Sequence, residues 1–203
     1  MKLLFTLWTT GLTGGTRAIF EVANRLGKKN YEVEIIALGD DHSWYPVNVP
    51  VNYIRVPERS NTVFQAYRLL TFKFDRKYDY LKLERIAKRL GFHVDFVRAL
   101  AESIPECDAC IATWYPTAFA VWFSGKGKPY YFLQDFSELV VEVSGIYGLR
   151  MFEATLKLPF YFLTNSTYTK ELVLKHQADA SVNVVSVGVD TKMFYHRNTR
   201  IVD

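Results

Sequence analysis

LLFTLWTTGLTGGTRAIFEVANRLGKKNYEVEII, residues 3–36, decides the fold. An apolar run closes at Trp8, and Gly11, Gly14 and Gly15 follow within five residues. A helical pattern then begins. Ile19, Val22, Ala23 and Leu26 recur at i, i+3, i+4 and i+7, which makes one apolar face on a helix over 16–26. Gly27 stands where a C-cap is expected, and YEVEIIAL (31–38) reads as a second strand. A strand, a glycine turn and a helix present backbone N–H groups to an anion. The same turn is equally a tight corner in which glycine supplies φ > 0, with Thr13 or Thr16 capping the helix.

Spacing narrows the ligand. G-x-x-G-G is not the G-x-G-x-x-G of dinucleotide-binding turns, and no G-K-[ST] follows to make a P-loop. Asp40 and Asp41 end the second strand, where a ribose-binding acid would sit, but the fingerprint that would give them that role is missing.

Beyond this unit, short apolar runs keep alternating with amphipathic stretches. KLLFTLW (2–8), VNYIRV (51–56), CDACIAT (107–113), YYFLQ (130–134), FYFLTNS (160–166) and VNVVSVG (182–188) read as further strands. Residues 62–104 read as helical with a break near Gly91, and 167–175 as a short helix. The alternation predicts an α/β fold: a Rossmann-like parallel sheet with helices on both faces, in a single domain over 1–187. Residues 188–203 read as the start of an interdomain linker.

Composition fits that class. Hydrophobic residues make up 49% and charged residues 23% of 203 residues, enough apolar material for one large core. The net charge of +4 is concentrated: residues 55–98 hold eleven Lys/Arg against five Asp/Glu. The aromatic, basic stretch 64–90 is either a surface for an anionic membrane or the solvated face of an ordinary helix. No nucleic-acid recognition motif accompanies the charge. Cys107 and Cys110 form a C-x-x-C ahead of a strand rather than at a helix N-terminus, which favours buried, inert thiols over a redox pair. Free thiols suit a reducing cytoplasm. The four histidines are scattered, so no metal site is expected. The N-terminal apolar run is short for a secretory signal, and no stretch reaches the roughly 18 uncharged apolar residues of a membrane span.

Three segments together resemble the N-terminal half of a GT-B glycosyltransferase of the large glycosyltransferase family 4. TGGTRAIFEVANRLGKKNYEVEII (13–36) is similar to that family's glycine pair, first helix and second strand. PYYFLQDFSEL (129–139) resembles its acceptor-lining strand and loop, and FLTNSTYTKELV (162–173) with VVSVGVDTKMF (184–194) resembles the last N-domain elements and the turn into the next domain. The matches run from Lys2 to about Tyr195, and 57–105 carries none of them.

The resemblance implies a domain that binds the acceptor, a glycan or lipid-linked glycan, and faces a donor-binding domain across a cleft. No glutamate here has another eight positions on, so the family's E-x7-E donor motif is absent, and the partner domain is expected in cis or in trans. By the same resemblance Gly14, Gly15 and Thr16 face the diphosphate of a nucleotide-sugar donor. That donor is a substrate, and no cofactor or metal is implied; the sequence has no D-x-D. Where many members carry a histidine, this chain has Gln134 then Asp135. Gln134 can orient a hydroxyl. Asp135 is either a base or the cap of a helix starting near Ser137.

Asn165 and Ser166 either face the cleft or merely precede the next helix, with Ser166 or Thr167 as its N-cap, and Trp114 and Tyr115 either stack on a sugar or bury. The implied activity is a retaining hexosyl transfer, of the kind that builds bacterial surface polysaccharides, at the cytoplasmic side of a membrane. Two other readings stand beside it: a non-catalytic subunit that docks on a membrane and presents the acceptor, and a nucleotide-binding oxidoreductase or epimerase domain, against which the glycine spacing argues.

Overall fold

The computed structural model describes residues 1–39, 41–54, 96–188 and 191, apart from the side chain of Tyr147. Among them seven strands, β1 (Lys2–Leu7), β2 (Glu32–Ala37), β3 (Val51–Tyr53), β4 (Ala109–Ala112), β5 (Lys128–Leu133), β6 (Tyr161–Thr164) and β7 (Val182–Val184), form one sheet. Its order is β3-β2-β1-β4-β5-β6-β7, and every neighbouring pair is parallel. This is the expected doubly wound sheet. The described helices are α1 (Gly14–Lys28), α2 (Phe96–Ser103), α3 (Tyr115–Ser124), α4 (Ser137–Thr155) and α5 (Thr167–His176).

Right-handed crossovers dictate the layers. From β1 the chain steps one way to β2; from β4 it steps the other way to β5, β6 and β7. Helices of the two runs therefore land on opposite faces. Ile19, Phe20 and Ala23 of α1 pack with Leu3, Phe5, Val33, Ile35, Ile111 and Phe132 on one face. Side chains of α2 to α5, including Leu100, Val121, Phe152 and Val173, pack with Leu4, Cys110, Tyr131, Leu133 and Phe162 on the other. Each fully buried Leu or Phe contributes roughly 1.5–3 kcal/mol.

Hydroxyls lock the centre. Thr6 Oγ1 donates to Ile111 O at 3.0 Å and Thr113 Oγ1 donates to Thr6 O at 2.7 Å, which fixes β1 against β4 where the strand order reverses.

Several boundaries differ from those read off the sequence. Trp8 lies just past β1, and α1 begins at Gly14 rather than Thr16. Gly27 is not the C-cap: it lies inside α1, where a Cβ would meet Val49 Cγ1 at 3.0 Å. Lys29 is the C-cap, and Asn30 takes the left-handed conformation at φ 63°. Of the helix expected over 62–104, only Phe96–Ser103 falls among the described residues. The basic stretch 64–90, Asp40 and nearly all of the linker 188–203 lie outside them.

Candidate functional site

In an open parallel sheet, ligands bind at the carboxyl ends of the strands where the order reverses. Here that crevice lies between β1 and β4, and the loops after β1, β4 and β5 surround it. The loop after β1 is anchored below and open above. Buried Thr10 donates from Oγ1 to Asp41 O at 2.6 Å, and its carbonyl accepts from Trp44 Nε1 at 2.8 Å. Beyond it, Gly11 to Gly14 are exposed.

Thr13 is the N-cap of α1: its Oγ1 accepts from Thr16 N at 3.1 Å. Thr16 is buried, and its hydroxyl meets that of Thr13 at 2.9 Å. The cap leaves the amides of Gly14 and Gly15 as the open donors of the first turn. The two glycines are not there for the backbone. Neither has a positive φ, so the corner reading in which glycine supplies φ > 0 does not hold for them. Among the described residues neither is crowded: a Cβ on Gly14 would meet nothing within 4 Å, and one on Gly15 would come no nearer than 3.7 Å, to Gln134 Nε2. Arg17, also in the first turn, adds a positive charge the sequence reading passed over, and its guanidinium lies 5.9 Å from the Tyr45 ring centroid.

Gln134 bridges the loops. Its Nε2 donates to Gly15 O at 3.4 Å, and its own carbonyl accepts from Asn165 Nδ2 at 3.4 Å. Asn165 Oδ1 in turn accepts from Thr169 Oγ1 at 3.1 Å. One chain of hydrogen bonds therefore joins the start of α1 to the ends of β5 and β6. Asp135 next door belongs to none of it. Among the described residues its carboxyl has no hydrogen bond and no ion pair, and burial alone pushes its pKa up to about 6. It is not a helix cap: the N-cap of α4 is Phe136, which makes no side-chain capping bond. A half-buried, unpaired carboxyl that titrates near neutrality has the character of a proton acceptor.

The remaining candidates fall into supporting places. Ser166 caps α5, its Oγ accepting from Thr169 N at 3.2 Å. Trp114 and Tyr115 are half-buried and pack edge to face, with ring centroids 5.1 Å apart, and Trp114 also meets Trp8 at 6.5 Å. Cys110 is fully buried, but Cys107 is only half-buried. The hydrogen bond between the two thiols lowers the pKa of Cys107 and raises that of Cys110. Among the described residues no three His, Cys, Asp or Glu gather as a metal site, and no described helix is long and apolar enough to cross a membrane.

The sequence reading also passed over Tyr131 of β5, which is wholly buried in the core beside Phe152 and Phe162. The available signal was a tyrosine inside a doubly covered strand, whose hydroxyl must find a place in the core.

No protein-family model matches the sequence, and no curated protein matches it. Among solved structures the chain is similar to a sucrose-phosphate synthase from Thermosynechococcus elongatus, with a TM-score of 0.55 and 9% identity. The match covers 96% of this chain and 50% of that one, so the chain spans about half the length of that protein. At this identity the likeness is one of fold: a Rossmann-like α/β domain, consistent with one half of a GT-B enzyme.

Proposed function

We propose that this chain is the acceptor-binding domain of a glycosyltransferase, which moves a sugar from a nucleotide-sugar donor to a glycan or lipid-linked acceptor. The observation that carries the reading is the glycine pair. Glycine inside a helix costs about 0.5–1 kcal/mol relative to alanine, and nothing among the described residues asks for it at 14 or 15. Close approach of an anionic ligand does. Two open amides and the positive end of α1 suit a diphosphate, worth roughly 0.3–1 kcal/mol from the dipole when exposed and more when dry.

The chemistry follows from the neighbours. Gln134, held by Gly15 and Asn165, orients the reacting groups. Asp135 accepts a hydrogen bond or a proton from an acceptor hydroxyl, and Trp114 and Tyr115 offer aromatic surface to the acceptor. Transfer is retaining and needs no metal, since amides and a helix terminus neutralise the leaving diphosphate. The donor-binding domain lies in cis or in trans, and the stretch 64–90 brings the enzyme to the cytoplasmic face of a membrane.

Isothermal titration of the assembled two-domain protein with nucleoside diphosphates tests the reading. Binding in the micromolar to millimolar range is expected; no heat at millimolar ligand sinks it. The membrane contact has its own test. Co-sedimentation with anionic vesicles must fall as salt rises, and salt-insensitive or absent binding removes that part.

A further inference from the structure

Thr10 is 2% exposed, although it is polar and belongs to no strand or helix. Residues that follow β2 enclose it. A Cβ on Gly39 would come within 2.9 Å of Thr10 Oγ1 and 3.4 Å of Thr10 N, so a glycine there lets the two loops lie this close. Thr10 Oγ1 donates to Asp41 O at 2.6 Å, and Thr10 O accepts from Trp44 Nε1 at 2.8 Å. An indole N–H can only donate, so this bond fixes how the ring meets the loop. The tether is rooted in α1. The Trp44 ring centroid lies 5.7 Å from that of buried Phe20. Buried Asn24 donates from Nδ2 to Pro46 O at 2.9 Å and accepts from Asn48 N at 2.7 Å. Other bonds of the glycine loop are local: Gly11 N donates to Thr9 Oγ1 and Thr16 N to Thr13 Oγ1, each at 3.1 Å. Among the described residues, Thr10 therefore links residues 9–13 to the loop that follows β2.

We propose that Trp44 is a positioning residue for the glycine loop: its bond to Thr10 O keeps residues 11–15 in the arrangement from which the amides of Gly14 and Gly15 meet an anion. A site that is formed only part of the time binds more weakly by that fraction. A loop tethered to the core side of α1 thus gains affinity from a residue that does not touch the ligand. The ligand in this statement, a diphosphate, rests on the reading above; the tether does not.

Hydrogen exchange of the chain without ligand tests the tether. Trp44→Phe keeps a ring against Phe20 and removes the N–H. The amides of Gly11 and Thr16 are expected to exchange about tenfold faster, the scale of one lost hydrogen bond, while those of β1 keep the parent rate. Thr10→Val loses the donor to Asp41 O, keeps the shape and should act in the same direction; Thr10→Ser should restore the parent rate. Isothermal titration of the assembled two-domain protein tests the positioning. Trp44→Phe should weaken nucleoside diphosphate binding about two- to fivefold, because the competent arrangement is populated less of the time. Unchanged exchange at Gly11 and Thr16 overturns the proposal. So does an acceleration that β1 shares equally, since it marks a general loss of stability, and so does faster exchange with undiminished binding. If the parent binds no nucleoside diphosphate, the diphosphate reading falls, and the exchange rates alone decide whether Trp44 holds the loop.

Discussion

Gly127 and Gly148 stand in contrast to Gly14 and Gly15. At Gly127 the backbone is left-handed, with φ 64°, and a Cβ would lie 2.8 Å from Cys107 Sγ and 2.9 Å from Cys107 O. At Gly148 a Cβ would lie 2.2 Å from Ser144 Cβ. Fold geometry accounts for both. At Gly14 and Gly15 the backbone is ordinary and the described residues leave the space open. The difference separates glycines that the chain needs in order to fold from glycines whose use lies outside it.

The largest expected effect tests the first class. Gly127→Ala combines a left-handed residue, worth about 1–2 kcal/mol, with overpacking, worth about 1–3 kcal/mol. A loss of about 3 kcal/mol is expected, or roughly 10 °C in melting temperature for a domain of this size. A calorimetric shift under 2 °C would mean that the 127 turn is free to rearrange, and that crowding does not sort these glycines.

Asp135 comes next, because it shares the rim with the glycine pair and, like it, has an unmet capacity. Its pKa rises from the ordinary carboxylate range to about 6 through burial. After allowance for the water that reaches a half-buried group, this is worth roughly 2 kcal/mol. The sign follows from which form is penalised. A raised carboxyl pKa means that the folded state holds its proton more tightly than the unfolded one. Folding is then relieved of the burden below about pH 4, loses stability between about pH 4 and 6, and carries the full cost above. Asp135→Asn should therefore be more stable than the parent by about 2 kcal/mol at pH 7.5. The two should converge near pH 4, as read by denaturant unfolding at both values. A gap that does not depend on pH would assign the effect to packing instead.

The same contrast explains what the sequence could disclose. Local pattern found β1, α1 and the parallel sheet, because an apolar run, an i, i+3, i+4, i+7 stripe and the alternation of strands with helices are written in neighbouring residues. It misplaced the end of α1, since Gly27 is required by Val49, which arrives from beyond β2. It placed no helix over 115–124, because PTAFAVWF is apolar on every side and has no period to read. Asp135 looked like a cap because it stands two residues before α4, but Phe136 occupies the capping position and leaves the carboxyl unpaired. The complete burial of Tyr131 depends on β5, α3 and α4 meeting, and no single stretch of sequence records that.

Thr13→Ala probes the frame of the glycine pair. Loss of the bond from Thr16 N should cost about 1 kcal/mol, the usual value of an N-cap, and leave the melting temperature a few degrees lower. Loss well above this would show that the cap also holds the loop anchored by Thr10 and Trp44.

The smallest stability effect carries the most information. Gly14→Ala places a methyl group in open space at a helical position. Helix propensity and a less flexible unfolded chain should both favour it, by about 0.5–1 kcal/mol. The variant should thus melt slightly higher than the parent. The same methyl group points into the space that a diphosphate would have to enter to reach the amides of Gly14 and Gly15. In the assembled two-domain protein it should weaken nucleoside diphosphate binding at least tenfold. A variant that is both more stable and fully competent to bind would leave the glycine pair without a function in this cleft. One that gains stability and loses the ligand would mean that the conformational cost of two glycines is offset only when the second wall of the cleft is present.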